Sequence, residues 1–100
     1  MRQVSVRYRV KPDRVAENEE LVRAVYEELG RVRPEGLAYA TFKLEDGVSF
    51  VHLARTTGDG NPLTGLDAFK AFQQGIPERC DEQPVFTELE TIGAYRAFDD

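Results

Sequence analysis

Residues 37–55 form two β-rich stretches hinged at Asp46-Gly47, and this hairpin constrains the chain most because its turn fixes which side chains share a face. A two-residue Asp-Gly turn pairs Glu45 with Val48. The period of two then places Ala38, Ala40, Phe42, Leu44, Val51 and Leu53 on one side and Leu37, Tyr39, Thr41, Lys43, Phe50, His52 and Ala54 on the other. The first set is the expected core face. The second is half apolar and half polar, as suits a surface that meets a second subunit, a ligand or both. A three-residue turn would exchange the two faces for one strand.

A chain of 100 residues is expected to be one domain, residues 1–100, that buries only about two-thirds of the surface its unfolded form exposes. Hydrophobic residues at 41% and charged residues at 31% give a globular profile rather than a disordered one. The formal net charge of -5 argues against nucleic acid as a partner, since binding phosphate needs clustered Lys and Arg. Cys80 is the only cysteine, so neither an intrachain disulfide nor a multi-thiolate metal site is expected. No apolar segment approaches membrane-spanning length and the opening residues lack a signal-like apolar core, so the expected location is the cytoplasm, away from the membrane.

Along the chain, residues 3–10 alternate Val4, Val6, Tyr8 and Val10 against Gln3, Ser5, Arg7 and Arg9, a strand with one apolar side. Lys11-Pro12-Asp13 ends it. Asp13 is the expected N-cap of a helix to about residue 29, with Val15, Val22, Val25, Tyr26 and Leu29 on one stripe and Glu17, Glu19, Glu20, Arg23, Glu27 and Glu28 mostly away from it. Residues 57–64 are a loop by composition. Thr64 and Asp67 have the spacing of a capping box, and Leu66, Phe69, Phe72, Ile76 and Cys80 follow at helical spacing. A last strand is expected over residues 85–92, then a tail over 93–100 with Tyr95 and Phe98.

The order strand, helix, strand, strand, helix, strand predicts an α+β, ferredoxin-like fold, a four-stranded antiparallel sheet with both helices on one face. The other face is expected to carry Ser5, Arg7, Arg9, Tyr39, Thr41, Lys43, Phe50, His52, Ala54, Phe86, Glu88, Glu90 and Ile92. That set is too apolar for a free outer face and too charged for an oil-like core. Two copies packed sheet to sheet would cover it and enclose a polar-lined cavity.

The run Val4-Ser5-Val6-Arg7-Tyr8-Arg9-Val10-Lys11-Pro12, the acidic helix, the turn at Gly36, the strand Val48-Ser49-Phe50-Val51-His52-Leu53 and the helix with Ala68-Phe69-Lys70-Ala71-Phe72 together resemble the dimeric α/β-barrel superfamily. Within it they are most similar to the antibiotic-biosynthesis-monooxygenase-like group. The resemblance implies a homodimer whose sheets form a barrel. It also implies an activity known in several members, the oxidation of polycyclic phenols by molecular oxygen without metal or flavin. The haem-degrading branch resembles a pattern of strand Asn, core Trp and helix His, none of which is present here. Cofactor-independent oxygenation needs a water-excluding cavity, a base and donors that hold the substrate anion. His52 is the expected base. Arg7, Arg9, Tyr39, Thr41 and Phe50 are the expected ligand-binding residues, and neither metal nor cofactor is expected.

Plainer roles compete with each of these. A lone strand histidine also suits a hydrogen-bonded structural position, and Arg7 and Arg9 also suit cross-strand pairs with Glu88 and Glu90. Three function classes therefore stand at the level of sequence: a monooxygenase or isomerase acting on an aromatic or phenolic molecule, a non-catalytic binder of a small aromatic or anionic molecule, and a structural dimer.

Overall fold

The structure, a computed structural model, describes residues 1–97. Phe98, expected in the tail, lies outside the described residues. The elements run β1 (Arg2–Val10), α1 (Val15–Val32), β2 (Leu37–Lys43), β3 (Ser49–Thr56), α2 (Asp67–Gln74), α3 (Ile76–Arg79) and β4 (Cys80–Glu88). The four strands form one antiparallel sheet in the order β2-β3-β1-β4. This is the ferredoxin-like arrangement.

The hairpin register is the expected one. Leu37 lies opposite Thr56, Tyr39 opposite Ala54 and Lys43 opposite Phe50. The turn itself is wider than an Asp-Gly pair, because the last bond joins the Leu44 N–H to the Ser49 carbonyl at 2.8 Å. The Asp46 carboxylate fills the loop, accepting from Val48 N at 3.0 Å, Ser49 N at 2.8 Å and Ser49 Oγ at 2.6 Å. Gly47 supplies the left-handed residue, at φ 80°, that this loop requires.

The two faces are the reverse of those expected for the hairpin. Val4, Val6 and Tyr8 stand opposite Ala54, His52 and Phe50, and directly opposed antiparallel residues share a face. The core beneath the helices therefore combines Tyr8, Val10 and Phe50 from the sheet with Val25, Phe69, Phe72 and Ile76 from the helices. His52, Tyr39 and Thr41 lie on this covered side. Ser5, Arg7 and Arg9 stay on the open face as expected, but in the company of Ala38, Ala40, Val51 and Leu53. The physical reason is volume. A helix layer stands about 10 Å from a sheet and large side chains must fill the gap, which Tyr39, Phe50 and His52 do and Ala38 and Ala40 cannot.

Other boundaries also differ. A single 3-10 turn (Pro12–Arg14) precedes α1, and Arg14, not Asp13, occupies the N-cap with no side-chain bond. The expected second helix is two, broken at Gly75, and Cys80 begins β4 instead of ending a helix. The capping box does not form. Asn61 Oδ1 accepts from Leu63 N at 3.0 Å, and α2 is capped from outside by Glu28 of α1, whose carboxylate accepts from Ala68 N at 2.8 Å. Glu28, expected to face away, thus neutralises a helix N-terminus. β4 occupies residues 80–88 rather than 85–92, with register shifts on either side of Arg9. It is an edge strand, where Pro84 removes no obligatory bond.

Candidate functional site

Five elements contribute to one buried polar chain that crosses the layer between helices and sheet. Its centre is His52 of β3, 5% exposed. Nε2 lies 2.8 Å from Tyr8 Oη of β1, and Nδ1 lies 2.5 Å from Tyr39 Oη and 3.2 Å from Thr41 Oγ1, both of β2. From Tyr8 the chain continues inward: Asn18 Nδ2 of α1 donates to Tyr8 Oη at 3.0 Å, and Arg79 Nε of α3 donates to Asn18 Oδ1 at 3.1 Å. At the other end Tyr26 Oη of α1 lies 2.8 Å from Thr41 Oγ1. Rings pack around it, with Phe72 at 5.4 Å from the imidazole and the Tyr26 and Tyr39 rings stacked at 5.4 Å.

The electrostatics follow from burial. With no carboxylate partner, burial denies the protonated imidazole the hydration its charge would need, and the pKa is lowered to about 4, so the ring is neutral at pH 7. Burial also pushes the Tyr8 and Tyr39 phenols well above their ordinary value and raises Tyr26. The Arg79 guanidinium, 1% exposed, is pulled down by burial but keeps compensating contacts. Its Nη2 donates to the Phe72 carbonyl at 2.8 Å and its charge sits 5.3 Å above the Phe72 ring.

A cleft of about 520 Å³ opens between the C-terminal half of α1 and β2, walled by Tyr26, Leu29, Arg33, Pro34, Leu37 and Tyr39. Tyr39 is both a wall of this cleft and a neighbour of His52. A second groove, about 550 Å³, lies along the open face under the tail, between Ala40, Leu53 and Arg55 of the sheet and Leu89 and Ile92. It does not touch the imidazole.

Of the residues singled out from the sequence, His52, Tyr39 and Thr41 meet directly and Phe50 packs beside them on Tyr8, rings 5.6 Å apart. Arg7 and Arg9 do not join them. Arg7 lies opposite Val51 on the other face, and Arg9 forms an ion pair with Glu82 at 3.2 Å. Glu88 pairs with Arg2 instead, at 3.1 Å. Tyr8, Asn18, Tyr26 and Arg79 are the members that sequence reasoning missed. Asn18 carried a usable signal: it sits among Val15, Val22, Val25 and Leu29 at helical spacing, one amide on an otherwise apolar stripe. Among the described residues no three His, Cys, Asp or Glu side chains converge as a metal set, and no helix is long and apolar enough to cross a membrane.

The ferredoxin-like α+β fold is the one found in structures of antibiotic-biosynthesis-monooxygenase-like dimeric α/β-barrel proteins, and the chain shares that fold. No protein-family model matches it, and no curated protein does. Among solved structures, an antibiotic biosynthesis monooxygenase is similar at TM-score 0.71 and 17% identity, over 93% of this chain and 100% of that one. A candidate antibiotic biosynthesis monooxygenase from Nitrosomonas europaea is similar at TM-score 0.78 and 14% identity, over 93% and 100%. SnoaB, a cofactor-independent oxygenase from Streptomyces nogalater, is similar at TM-score 0.70 and 13% identity, over 95% and 96%.

Proposed function

We propose that this protein is a cytoplasmic, homodimeric, cofactor-independent monooxygenase that binds a phenolic or enolic aromatic molecule in the cleft between α1 and β2. The observation that carries this reading is the series of tyrosine hydroxyls and one neutral imidazole directly behind the cleft wall. The fold shared with SnoaB, itself a cofactor-independent oxygenase, supports the same class of reaction.

In this scheme the aromatic substrate lies against Leu29, Leu37 and the Tyr26–Tyr39 stack. Arg33 and the tyrosine hydroxyls hold its oxygen as an anion. The electron-rich anion then reduces oxygen itself, one oxygen atom entering the ring system as a carbonyl and the other leaving as water. His52 is reached only through Tyr39, so its part is to orient that hydroxyl toward the cleft. Tyr39, Thr41 and His52 act as a unit, Phe50 supports it from below, and Arg7 and Arg9 have no part in the cleft. The homodimer joins through the open face of the sheet, where Ala38, Ala40, Val51 and Leu53 form an apolar strip.

The test is oxygen consumption by metal-free, flavin-free protein over a panel of polycyclic phenols and enols. Uptake matched to product is expected, and Tyr39→Phe is expected to lower the rate roughly 100-fold, as loss of one anion-holding donor does elsewhere, while the protein stays folded. A second reading, a non-catalytic binder in the same cleft, is favoured by one fact: among the described residues every buried side-chain polar atom has a partner. Saturable thermal shifts with the same compounds and no oxygen uptake would select it.

A further inference from the structure

The buried chain has a direction, and it is set at its far end. An arginine side chain can only donate, so Arg79 Nε, 3.1 Å from Asn18, must meet the amide oxygen. Its second bond, to the Phe72 carbonyl at 2.8 Å, fixes the guanidinium in place. The other end of the amide is therefore Nδ2, and it stands 3.0 Å from Tyr8 Oη. Nδ2 has no lone pair to offer, so the Tyr8 oxygen accepts. Tyr8 is 2% exposed, and its hydroxyl hydrogen has His52 Nε2, at 2.8 Å, as the acceptor within reach. An uncharged imidazole that accepts at Nε2 carries its hydrogen on Nδ1.

We propose that Arg79 and Asn18 are positioning residues that lock His52 as the Nδ1–H tautomer, so that Tyr39 accepts from the imidazole and keeps its own hydrogen for onward donation toward the α1–β2 cleft. This rests on the cleft being the binding site. The opposite tautomer would draw the Tyr39 hydrogen inward to Nδ1 and turn a lone pair outward, against an anionic ligand. Thr41 and Tyr26 continue the same direction, each hydroxyl able to accept from behind and donate ahead. The neutrality of the buried ring is what leaves one nitrogen free to accept.

The chain holds one histidine, so a long-range proton–nitrogen correlation spectrum of uniformly 15N-labelled protein shows a single imidazole and needs no assignment between histidines. At pH 7.5 the expected pattern is a pyrrole-type Nδ1 and a pyridine-type Nε2. Asn18→Asp replaces the donor facing Tyr8 with an acceptor, and the pattern is expected to invert to Nε2–H. Arg79→Met releases the amide to turn over and is expected to give both tautomers. A wild-type spectrum showing Nε2–H overturns the proposal without any variant, and so does folded Asn18→Asp that keeps Nδ1–H. Oxygen uptake plays no part in this measurement. An inactive protein with the Nδ1–H pattern contradicts the oxygenase and leaves the lock standing, whereas an active protein with the Nε2–H pattern does the reverse.

Discussion

His52 is held uncharged by its surroundings, and that has a consequence for stability with a definite sign. Its folded pKa of about 4 lies below the ordinary 6.5, so between these values the unfolded chain binds a proton that the folded chain refuses. The contribution is complete above about pH 6.5 and is lost as the pH falls toward 4, on the order of 3 kcal/mol in total. Chemical denaturation of wild type and His52→Gln at pH 7.5 and pH 4.5 isolates it from the carboxylates. The wild type is expected to lose more stability across that interval, and equal losses would contradict a buried neutral ring. At this scale the sequence placed His52, Tyr39 and Thr41 on one face of the hairpin, and they do touch, because the hairpin register alone joins them. It could not join Arg79 to Asn18, since 61 residues separate the two and only the packed fold closes that distance.

The elements depend on a few positions where backbone conformation, not side-chain chemistry, decides. Gly36 leads into β2 at φ 77°, and a Cβ there would meet Thr57 Oγ1 at 2.7 Å while the Gly36 carbonyl accepts from Thr57 N at 3.0 Å. Gly36→Ala is expected to cost about 1–3 kcal/mol, from left-handed strain and the clash together. Gly30 is the control: it lies within α1 with nothing within 4 Å of the site of a Cβ, so Gly30→Ala is expected to stabilise by about 0.5–1 kcal/mol through helix propensity. Two denaturation midpoints moving in opposite directions check both, and a common sign contradicts one of them. Periodicity made β1, α1 and the hairpin legible because each buries one continuous stripe. β4 was misplaced because an edge strand buries little: Val85 is 63% exposed and Phe86 69%, so no alternation marks its ends. Gly75 and Pro77 similarly divide what the apolar spacing alone presents as one helix.

At the scale of the whole molecule, the order of strands and helices was sufficient to predict the ferredoxin-like fold, but not which side of the hairpin the helices cover. Apolar residues occur on both of its sides, and the choice is made by the β1–β3 register, a long-range pairing with no local signature. The reversal changes the chemistry of the proposed dimer. The open face offers Ala38, Ala40, Val51 and Leu53 in the middle with Arg7 and the Arg9–Glu82 pair beyond them, a small-residue strip that allows two sheets close approach. Leu53, at the centre of β3, is the position where a charge does most harm. In the proposed dimer Leu53→Glu sets two like charges into the apolar strip where the two sheets meet, each costing several kcal/mol of desolvation, so the dissociation constant is expected to rise by at least about 100-fold. Sizing chromatography at micromolar concentration should show wild type as a dimer and Leu53→Glu as a monomer with an unchanged far-ultraviolet circular dichroism spectrum. Because His52 lies on the opposite, covered side, the monomeric variant is also expected to keep the wild-type imidazole tautomer. A wild type that runs as a monomer, or a Leu53→Glu protein that stays dimeric, would mean that the two sheets do not meet through this strip.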